Sequence, residues 1–440
     1  MNNEKIQLGY WDKTCAETLA YPKDAHGVLC GPTRSGKFAC VLAQILMSYK
    51  GSALVVDPKG QAAAVTARYR RDVLKQDVCL LNPFNILTKY LSRFRHAQYD
   101  PLTSNLDPAS PSFGADADNL AEGGLPLGGP DTHWIYSSRQ LTSGVSMALR
   151  SMYKNCSLAD VYRTISGPDL FTFCQKVVRE DPDGFIVERL ARFAAPDAAD
   201  NREIKSIVSA AITGLGFMGN TPIAENLSAS TVNFREMKKR PMTVYLILPG
   251  RYQHSCASWF RIIVNAWADA SMYEGEKDIP LLGILDEFKT SVGDLGIIET
   301  LQTLGAGYGV QLLSVICDIP SLKSLFEKSW ETFLGSAGFS AWYAPRLDMT
   351  TASYLSRMTG TVDVISGSRS FNEKSGGNIN VNQQSRHYMM PEDVREMADD
   401  EMLVFGSGIK GVIRGGRRPY WQSPEFAGKY DPDPYHISKK

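Results

Sequence analysis

The sequence predicts an α/β fold in which a mostly parallel central sheet is interrupted by an all-helical insertion. Two observations support this prediction. Short apolar runs alternate with amphipathic helical segments over the first hundred residues and again from about residue 242, and such alternation is typical of parallel sheets covered by helices on both faces. Between these two parts, residues 134–232 show helical periodicity throughout.

The composition excludes several classes of protein. With 440 residues and 43% hydrophobic content, the chain can bury a core and form two or three units of about 100–200 residues each. Lys plus Arg and Asp plus Glu both number 47, so the chain lacks the basic excess of a protein that coats nucleic acid nonspecifically. Any contact with nucleic acid must therefore be local.

The cysteines and the hydropathy predict the cellular compartment of the chain. The eight cysteines are scattered, with no CxxC pair and no Cys/His cluster at zinc-ligand spacing, which is typical of reduced thiols in a cytoplasmic protein. No apolar run approaches the ~18–20 residues that cross a bilayer, and the start of the chain is too polar for a signal peptide. We expect a soluble, cytoplasmic chain.

The first part of the sheet is placed in residues 1–104. It begins with the strand "HGVLC" (26–30), a glycine-rich turn and the helix "KFACVLAQILMSYK". The buried strands "SALVVD" (52–57) and "VCLLNP" (78–83) follow, with a proline-opened helix between them. Residues 105–133 are dense in Pro, Gly and Asp and predict a loop or mobile linker.

The all-helical insertion then occupies residues 134–232, and the second part of the sheet occupies 233–440. The strand "MTVYLILP" (242–249) resumes the sheet, and the helix "SCASWFRIIVNAWADASMY", the strand "PLLGILDEF" and the strand "GVQLLSVIC" follow. The polar, Gly/Ser/Asn-rich segment 364–387 predicts a mobile hairpin or loop to which the sequence assigns no role.

The turn after the first strand, "GPTRSGKF", resembles a phosphate-binding loop. Its glycines and lysine stand at GxxxxGK spacing between a strand and a helix, where backbone N–H groups cradle phosphates and the lysine reaches the outer ones. A glycine turn that caps a helix by chance is the alternative. The predicted nucleotide-binding residues are Gly31, Pro32, Thr33, Arg34, Ser35, Gly36, Lys37 and Phe38.

The strand "LLGILDEF" ends in two adjacent acids. A buried strand of this kind delivers Asp286 to Mg²⁺ and Glu287 to the attacking water as general base. Alone, the pattern equally fits a strand that ends in two solvated acids, but together with the loop it predicts a P-loop NTPase that uses ATP and Mg²⁺. The turn "VVDPKGQ" (55–61) also falls at the carboxyl edge of the sheet, although alone it is an ordinary turn.

Phe38 stands where most such loops place a Ser or Thr that binds the metal. We expect its ring to turn into the core beneath the loop, as an apolar residue in a first helical turn does. Mg²⁺ would then rest on Asp286, phosphate oxygens and water, because Mg²⁺ usually keeps several waters.

Several motifs in one order resemble the type IV secretion coupling proteins, the conjugative DNA-transfer ATPases. The resemblance spans about residues 27–425 and rests on "GPTRSGKFACVL", "SALVVDPKGQ", "LNPF", "THWIYSSRQLTSGV", "ILDEF", "LGAGYGVQLLSVICDIPSLK", "LDMTTASYLSRMTG" and "MMPEDVREM". It implies a RecA-like ATPase that assembles as a homo-hexamer at the inner membrane. It also implies relaxase-bound DNA or protein substrates, a secretion channel as partner, and a substrate-recognition role for the helical insertion.

The sequence departs from that family at two further places. Cys317 stands where the family has a glutamine that senses the γ-phosphate, and a thiol is a weak hydrogen-bond partner. Ala306 stands where some relatives carry an arginine. An arginine finger, worth about 10³–10⁵ in rate, must then come from elsewhere; the candidates are Arg34, Arg346 and Arg357, of which we favour Arg346.

Three basic runs are candidates for DNA contact: "ARYRRD" (67–72), "MKKR" (237–240) and "RGGRRPYWQ" (414–422). Solvated faces are the alternative for each. The function we predict is a coupling ATPase for single- or double-stranded DNA transfer, associated with the inner membrane through its partners. A nucleotide-gated or inactive platform that recruits protein substrates is the rival hypothesis, and a DNA-pumping ATPase outside secretion is a third.

Overall fold

A computed structural model describes residues 6–21, 25–125, 132–180, 184–273, 279–327, 329–370 and 378–436, with the side chains of 366–382 left aside. The strands are β1 (Ile6–Tyr10), β2 (Thr18–Tyr21), β3 (Gly27–Cys30), β4 (Ser52–Asp57), β5 (Asp77–Leu81), β6 (Arg95–His96), β7 (Met242–Ile247), β8 (Leu281–Leu285), β9 (Val310–Ile316), β10 (Phe339–Trp342), β11 (Thr361–Ser370), β12 (Asn378–His387), β13 (Glu401–Gly406) and β14 (Ile413–Gly416).

The helices are α1 (Ala43–Ser48), α2 (Gln61–Asp72), α3 (Thr88–Leu91), α4 (Pro101–Asn105), α5 (Phe113–Gly124), α6 (Thr132–Met152), α7 (Leu158–Ser166), α8 (Leu170–Glu180), α9 (Phe185–Ala194), α10 (Arg202–Leu215), α11 (Thr221–Asn226), α12 (Gln253–Met272), α13 (Phe288–Ser291), α14 (Gly296–Leu304), α15 (Ile319–Phe326), α16 (Trp330–Gly335), α17 (Met349–Met358) and α18 (Pro391–Arg395). A π-helical turn, Phe38–Leu42, leads into α1.

Twelve strands form one sheet in the order β2-β1-β14-β13-β10-β3-β9-β8-β4-β7-β5-β6. The strands from β10 to β6 in this order are parallel to their neighbours, whereas β2, β1, β14 and β13 pair antiparallel at the other edge. The predicted mostly parallel sheet is therefore confirmed. Its antiparallel edge was not predicted, because those strands are short and carry no distinctive pattern.

The central strands are apolar on both faces because both faces are covered. The residues of β4 and β7 are buried along their whole length, as expected of strands that sit between two helical layers. One face packs against α12 through Trp259 and Trp267, and the other packs against α1 and α2 through Ile45 and Ala63. Loops at the carboxyl ends of these strands are thus held by core on both sides.

The helices α4 to α11 lie between β6 and β7 in the chain, so the two parts of the sheet are joined in space although a helical segment separates them in sequence. The amphipathic faces of α7 to α10 bury apolar residues such as Val161, Cys174, Phe193 and Ile207. Helical periodicity predicted this segment correctly because each helix buries only one stripe.

The predicted loop at 105–133 is wrong in part, because Phe113–Gly124 forms the 12-residue helix α5; residues 126–131 of that prediction lie outside the described residues. Residues Ala117, Leu120 and Ala121 face the interior, and a Cβ at Gly123 would lie 2.9 Å from Cβ of Asn265. Gly123 thus allows α5 to approach α12 closely. The composition of the segment that forms α5 is typical of a turn, but small residues at helical spacing are also typical of a tight helix contact.

The segment 364–387, predicted as a mobile hairpin or loop, contains most of β11 and β12, which pair antiparallel from Thr361 with His387 to Ser370 with Asn378 and form a ribbon separate from the main sheet. Residues 371–377 of this segment lie outside the described residues, and its mobility stays a prediction. Within the described ranges, none of the helices is both long enough and apolar enough to cross a bilayer.

Candidate functional site

The carboxyl ends of β4 and β8 and the loop after β3 surround a cavity of about 780 Å³. Loop residues 33–39 form one wall, and Asp57, Asp286 and Glu287 form another. Ligands of open parallel sheets bind at this edge because the loops that follow adjacent strands converge there. Residues that are some 250 positions apart in the chain therefore face one space.

The loop after β3 is held in a conformation that requires glycine. The Gly31 N–H donates to the carbonyl of Ile316 at 3.1 Å, and a Cβ at Gly31 would lie 2.7 Å from Cβ of Tyr343. Gly36 has φ of 90° and Arg34 has φ of 62°, a left-handed conformation that costs a non-glycine residue about 1–2 kcal/mol. Strain of this kind is frequent at ligand-binding loops.

Lys37 curls back over its own loop. Its ammonium donates to the carbonyls of Gly31 at 2.6 Å and Pro32 at 3.2 Å, and it lines the cavity together with Thr33, Arg34 and Ser35. Gly31 and Pro32 thus contribute carbonyls to the loop interior and do not line the cavity. The lysine provides a fixed positive charge within the loop, beside the cavity.

Asp286 and Glu287 stand where β8 ends. Asp286 opens onto the cavity and is otherwise enclosed by protein, and this burial, with the neighbouring charge of Glu287, raises the pKa of its carboxyl to about 6. One of its oxygens accepts from the Glu287 N–H at 2.9 Å. Glu287 has φ of 51°, so the chain turns sharply and directs two successive carboxylates to one site.

Asp57 is a site residue that sequence reasoning missed. It ends β4, is 4% exposed, and accepts the Ala63 N–H at 2.8 Å. Burial raises the pKa of this carboxyl to about 7, and the charge of Asp286 adds to the shift. The turn "VVDPKGQ" was set aside as ordinary; the available signal was a carboxylate at the end of a strand entirely of buried residues.

Phe38 lies in the first helical turn after the loop and is partly buried. Its ring contacts the ring of Tyr420 edge-on with centroids 6.2 Å apart, and it packs against the apolar layer of α1 and α2. It also lines the cavity. The side chain therefore turns towards the core as expected, and supplies an apolar surface where other loops have a hydroxyl.

The segment 414–422, a candidate for DNA contact, braces this site, which favours a structural role for it. Arg417 is 6% exposed, donates to the Ser35 carbonyl within the loop, and lies 4.0 Å over the ring of Tyr343. Arg414 donates to Glu401 at 2.6 Å. Trp421 lines the cavity, so the basic and aromatic residues of this run are used within the chain.

The other two basic runs are also used in the fold. Arg70 is fully buried and donates to Thr243 and to carbonyls at the end of α1, and Arg68 pairs with Asp431 at 2.6 Å. In the run 237–240, Lys238 is buried and Arg240 pairs with Asp77 at 2.9 Å. The structure thus favours structural roles over DNA contact for both runs.

The other residues singled out in the sequence are spread around the sheet. Cys317 follows β9, where its carbonyl accepts from the Cys30 thiol at 3.5 Å; burial raises the pKa of its own thiol, and the nearby charges of Lys37 and Glu287 also act on it. Ala306 lies in a turn before β9, at the opposite edge of the sheet. Arg346 is exposed, has φ of 67° and approaches Asp399 at 3.9 Å. Arg357 lies in α17, whereas Arg34 lines the cavity.

The residues present suit a magnesium nucleotide. The three carboxylates that line the cavity are hard oxygen donors of the kind Mg²⁺ prefers, and Mg²⁺ is usually held by one or two carboxylates with phosphate and water. The glycine loop whose backbone leaves no room for a Cβ, with Lys37 beside it, suits phosphate oxygens. The geometry fits a nucleoside triphosphate with its metal.

Comparison with known proteins agrees with this geometry. Residues 4–435 match the family model described as type IV secretory system conjugative DNA transfer. The conjugal transfer protein TraG of Escherichia coli is 25% identical over 457 residues, covering 93% of this chain and 69% of that protein. VirD4 of Agrobacterium fabrum is 22% identical over 435 residues, covering 92% of this chain and 61% of that protein.

Solved structures agree in fold. The bacterial conjugative coupling protein TrwB in an unbound form superposes with a TM-score of 0.69 at 16% identity, covering 91% of this chain and 86% of that chain. TrwB in complex with ADP and Mg²⁺ gives a TM-score of 0.69 at 15% identity, covering 91% and 87%.

Proposed function

This chain belongs to the type IV secretory system conjugative DNA transfer family, and from that membership we propose that it is a coupling ATPase. It hydrolyses ATP to move relaxase-bound DNA or protein substrates towards a secretion channel. Family relatives are named for conjugal transfer and for coupling in type IV secretion. TrwB, which shares the fold, was solved with ADP and Mg²⁺ and with an ATP analogue.

One observation carries the proposal. A phosphate-binding loop and three acidic residues from distant parts of the chain line one cavity at the carboxyl edge of the sheet. A structural glycine turn would not need acids opposite it, and solvated acids would not be enclosed beside a lysine-bearing loop. Perturbed carboxyl groups that converge on a cleft mark functional sites.

In this mechanism Lys37 leaves its loop carbonyls and binds the outer phosphates of ATP. Asp286 would hold Mg²⁺, with Asp57 beside it, and the bound metal would neutralise charge on the phosphate oxygens. Glu287 accepts a proton from water as the water oxygen bonds to the γ-phosphorus. The bond from that phosphorus to the bridging oxygen breaks, and ADP and phosphate leave.

The assembled enzyme includes further groups. Arg346 lies on the surface and not in the cavity of its own chain, so it would act on a neighbouring subunit's ATP in a homo-hexamer. Residues 1–104 and 233–440 form the motor, and the helical insertion 134–232 collects substrates. Single- or double-stranded DNA, the relaxase and channel components are the partners, and through them the chain associates with the inner membrane.

The test is steady-state ATP hydrolysis with and without single-stranded DNA. Glu287→Gln should bind ATP but lose about 10²–10⁴-fold in turnover, because it cannot accept the proton. Lys37→Ala should lose both binding and turnover. Lys289→Ala is the matched control, since Lys289 is exposed two residues after Glu287 and does not line the cavity. Wild-type turnover no higher than that of Glu287→Gln under every condition contradicts the motor.

A second candidate is a nucleotide-gated platform that recruits protein substrates without turnover. Cys317 favours it, because a thiol is a weak hydrogen-bond partner at the position where the family has a glutamine that senses the γ-phosphate. The two candidates differ in one measurement. The platform is stabilised thermally by Mg-ATP, because a ligand of the native state must stabilise it, yet it releases no phosphate.

A further inference from the structure

Four aromatic rings line the cavity that the phosphate loop and the acids share. Trp421 and His436 stack on each other with centroids 4.2 Å apart and an interplanar angle of 22°. Tyr435 and Phe38 also line the cavity, and burial raises the pKa of the Tyr435 hydroxyl, with the nearby charge of Asp57 adding to the shift. We call these four residues the aromatic wall of the cavity. Phe38 is far from the other three in the chain, so no local pattern predicts that they meet.

The cavity therefore combines charged and aromatic lining. It carries Lys37 with Asp57, Asp286 and Glu287 as well as the aromatic wall. A nucleoside triphosphate has both kinds of group, because a charged triphosphate is joined through a sugar to a flat base. A volume of about 780 Å³ lies within the range of about 300–1,000 Å³ that holds small ligands.

The segment 431–436, which carries Tyr435 and His436, is anchored on α2 and on the turn before it. The Asp431 N–H donates to the Val65 carbonyl at 2.9 Å, Gln61 donates to Asp433 at 2.8 Å, and the Tyr435 hydroxyl donates to the Lys59 carbonyl at 2.9 Å. These contacts hold the rings over the cavity before any ligand binds. Preorganised groups contribute more to affinity because little ordering remains to be done.

We propose, resting on the function proposed above, that Trp421 and His436 form a stacking site for the base of the bound nucleotide. The base stacks on the indole, either against His436 or in its place. Asp433 and the Tyr435 hydroxyl already make hydrogen bonds within the chain, so stacking is the main interaction left. Stacking on a ring tolerates every base, and ATP and GTP should bind with affinities within about tenfold of each other.

The experiment separates the base from the phosphates. Isothermal titration measures the affinity of the full chain for ATP, GTP and inorganic tripolyphosphate, which lacks a base. The variants are Trp421→Ala, Trp421→Phe and the exposed His436→Ala. Trp11→Ala is the matched control, because Trp11 is an exposed tryptophan outside the cavity.

Trp421→Ala should weaken ATP and GTP by about tenfold or more and leave tripolyphosphate unchanged, while Trp421→Phe restores most of the loss and Trp11→Ala has no effect. His436→Ala removes an exposed ring. It should change the affinity for ATP and GTP and leave the affinity for tripolyphosphate unchanged. Equal losses for ATP and tripolyphosphate, or no loss for either, overturn the stacking site. If wild type binds tripolyphosphate as tightly as ATP, the stacking site fails and the phosphate site stands. If it binds none of the three, the proposed function itself fails.

Discussion

Arg417 is the strongest single test of how the phosphate loop is held. It reaches from the end of β14 into the loop, where its guanidinium donates to the Ser35 carbonyl and lies over Tyr343. Arg417→Met keeps the length and apolar stem of the side chain and removes the charge. The substitution therefore removes these two contacts without opening a large cavity.

The magnitude follows from those contacts. A hydrogen bond to a charged group contributes about 1.5–3 kcal/mol, and a desolvated cation over a ring contributes about 2 kcal/mol. The substitution also removes the cost of desolvating a buried guanidinium, which offsets part of this loss of stability. We expect a net loss of about 2–4 kcal/mol in the free energy of unfolding.

The loss should also reach the nucleotide. The brace opposes the strain of Arg34, which costs about 1–2 kcal/mol in its left-handed conformation. Without the contacts of Arg417 the loop mostly leaves the strained conformation that binds ATP. The apparent dissociation constant for ATP rises as the fraction of chains in that conformation falls. A tenfold loss of ATP affinity corresponds to about 1.4 kcal/mol. The contacts of Arg417 contribute more than this, so we expect Arg417→Met to lower ATP affinity by about tenfold.

Urea denaturation and titration with ATP measure the two effects. Arg418→Met is the control, because Arg418 is the next arginine and donates instead to the Thr14 carbonyl at 3.1 Å, outside the loop. It should cost less than about 1 kcal/mol and leave ATP affinity unchanged. Wild-type stability and affinity in Arg417→Met, or an equal loss in Arg418→Met, would refute the bracing role.

Three further predictions concern buried residues. Burial lowers the pKa of His26 to about 4, so the unfolded chain binds a proton at a higher pH than the folded chain does. About 3 kcal/mol of stability, present above pH 6.5, is therefore lost as the pH falls to 4. His26→Asn should reduce this dependence of the unfolding free energy on pH, measured by denaturation at pH 7 and 5, and an unchanged dependence counts against the prediction. Gly31→Ala places its Cβ 2.7 Å from Cβ of Tyr343 and should abolish ATP binding in titration; retained affinity would mean that the loop adapts. Arg70→Met removes the guanidinium that donates to the buried carbonyls of Leu46 and Tyr49. Each carbonyl that loses its donor costs about 1–3 kcal/mol, so urea denaturation should show a loss of about 3 kcal/mol that the half-buried Arg71→Met does not.

The sequence alone determined the parallel core of the sheet and the acids and loop at its edge. Apolar runs such as those of β4 and β8 are unambiguous because a strand buried on both faces must be apolar throughout. The GxxxxGK spacing and the Asp286-Glu287 pair are local patterns that need no knowledge of distant residues. The amphipathic helices of the insertion were predictable because each buries one stripe.

Composition misled where the same residues serve two purposes. Glycine and aspartate marked 105–133 as a loop, although in α5 the glycine permits a close helix contact. Arginines at 67–72 and 414–422 looked like surface charge, although Arg70 and Arg417 are buried. Burial of a charged side chain is decided by partners from distant parts of the chain, and spacing along the sequence does not reveal them.

The sequence by itself determined which residues we propose for the chemistry, namely Lys37, Asp286 and Glu287. Only the tertiary structure decided what stands around them: Asp57 beside the acids, Arg417 against the loop, and Trp421 in the cavity wall. The physical reason is that a motif is a contiguous stretch whose backbone makes the site, whereas a cavity wall is assembled from strand ends and loops that become neighbours only when the sheet forms.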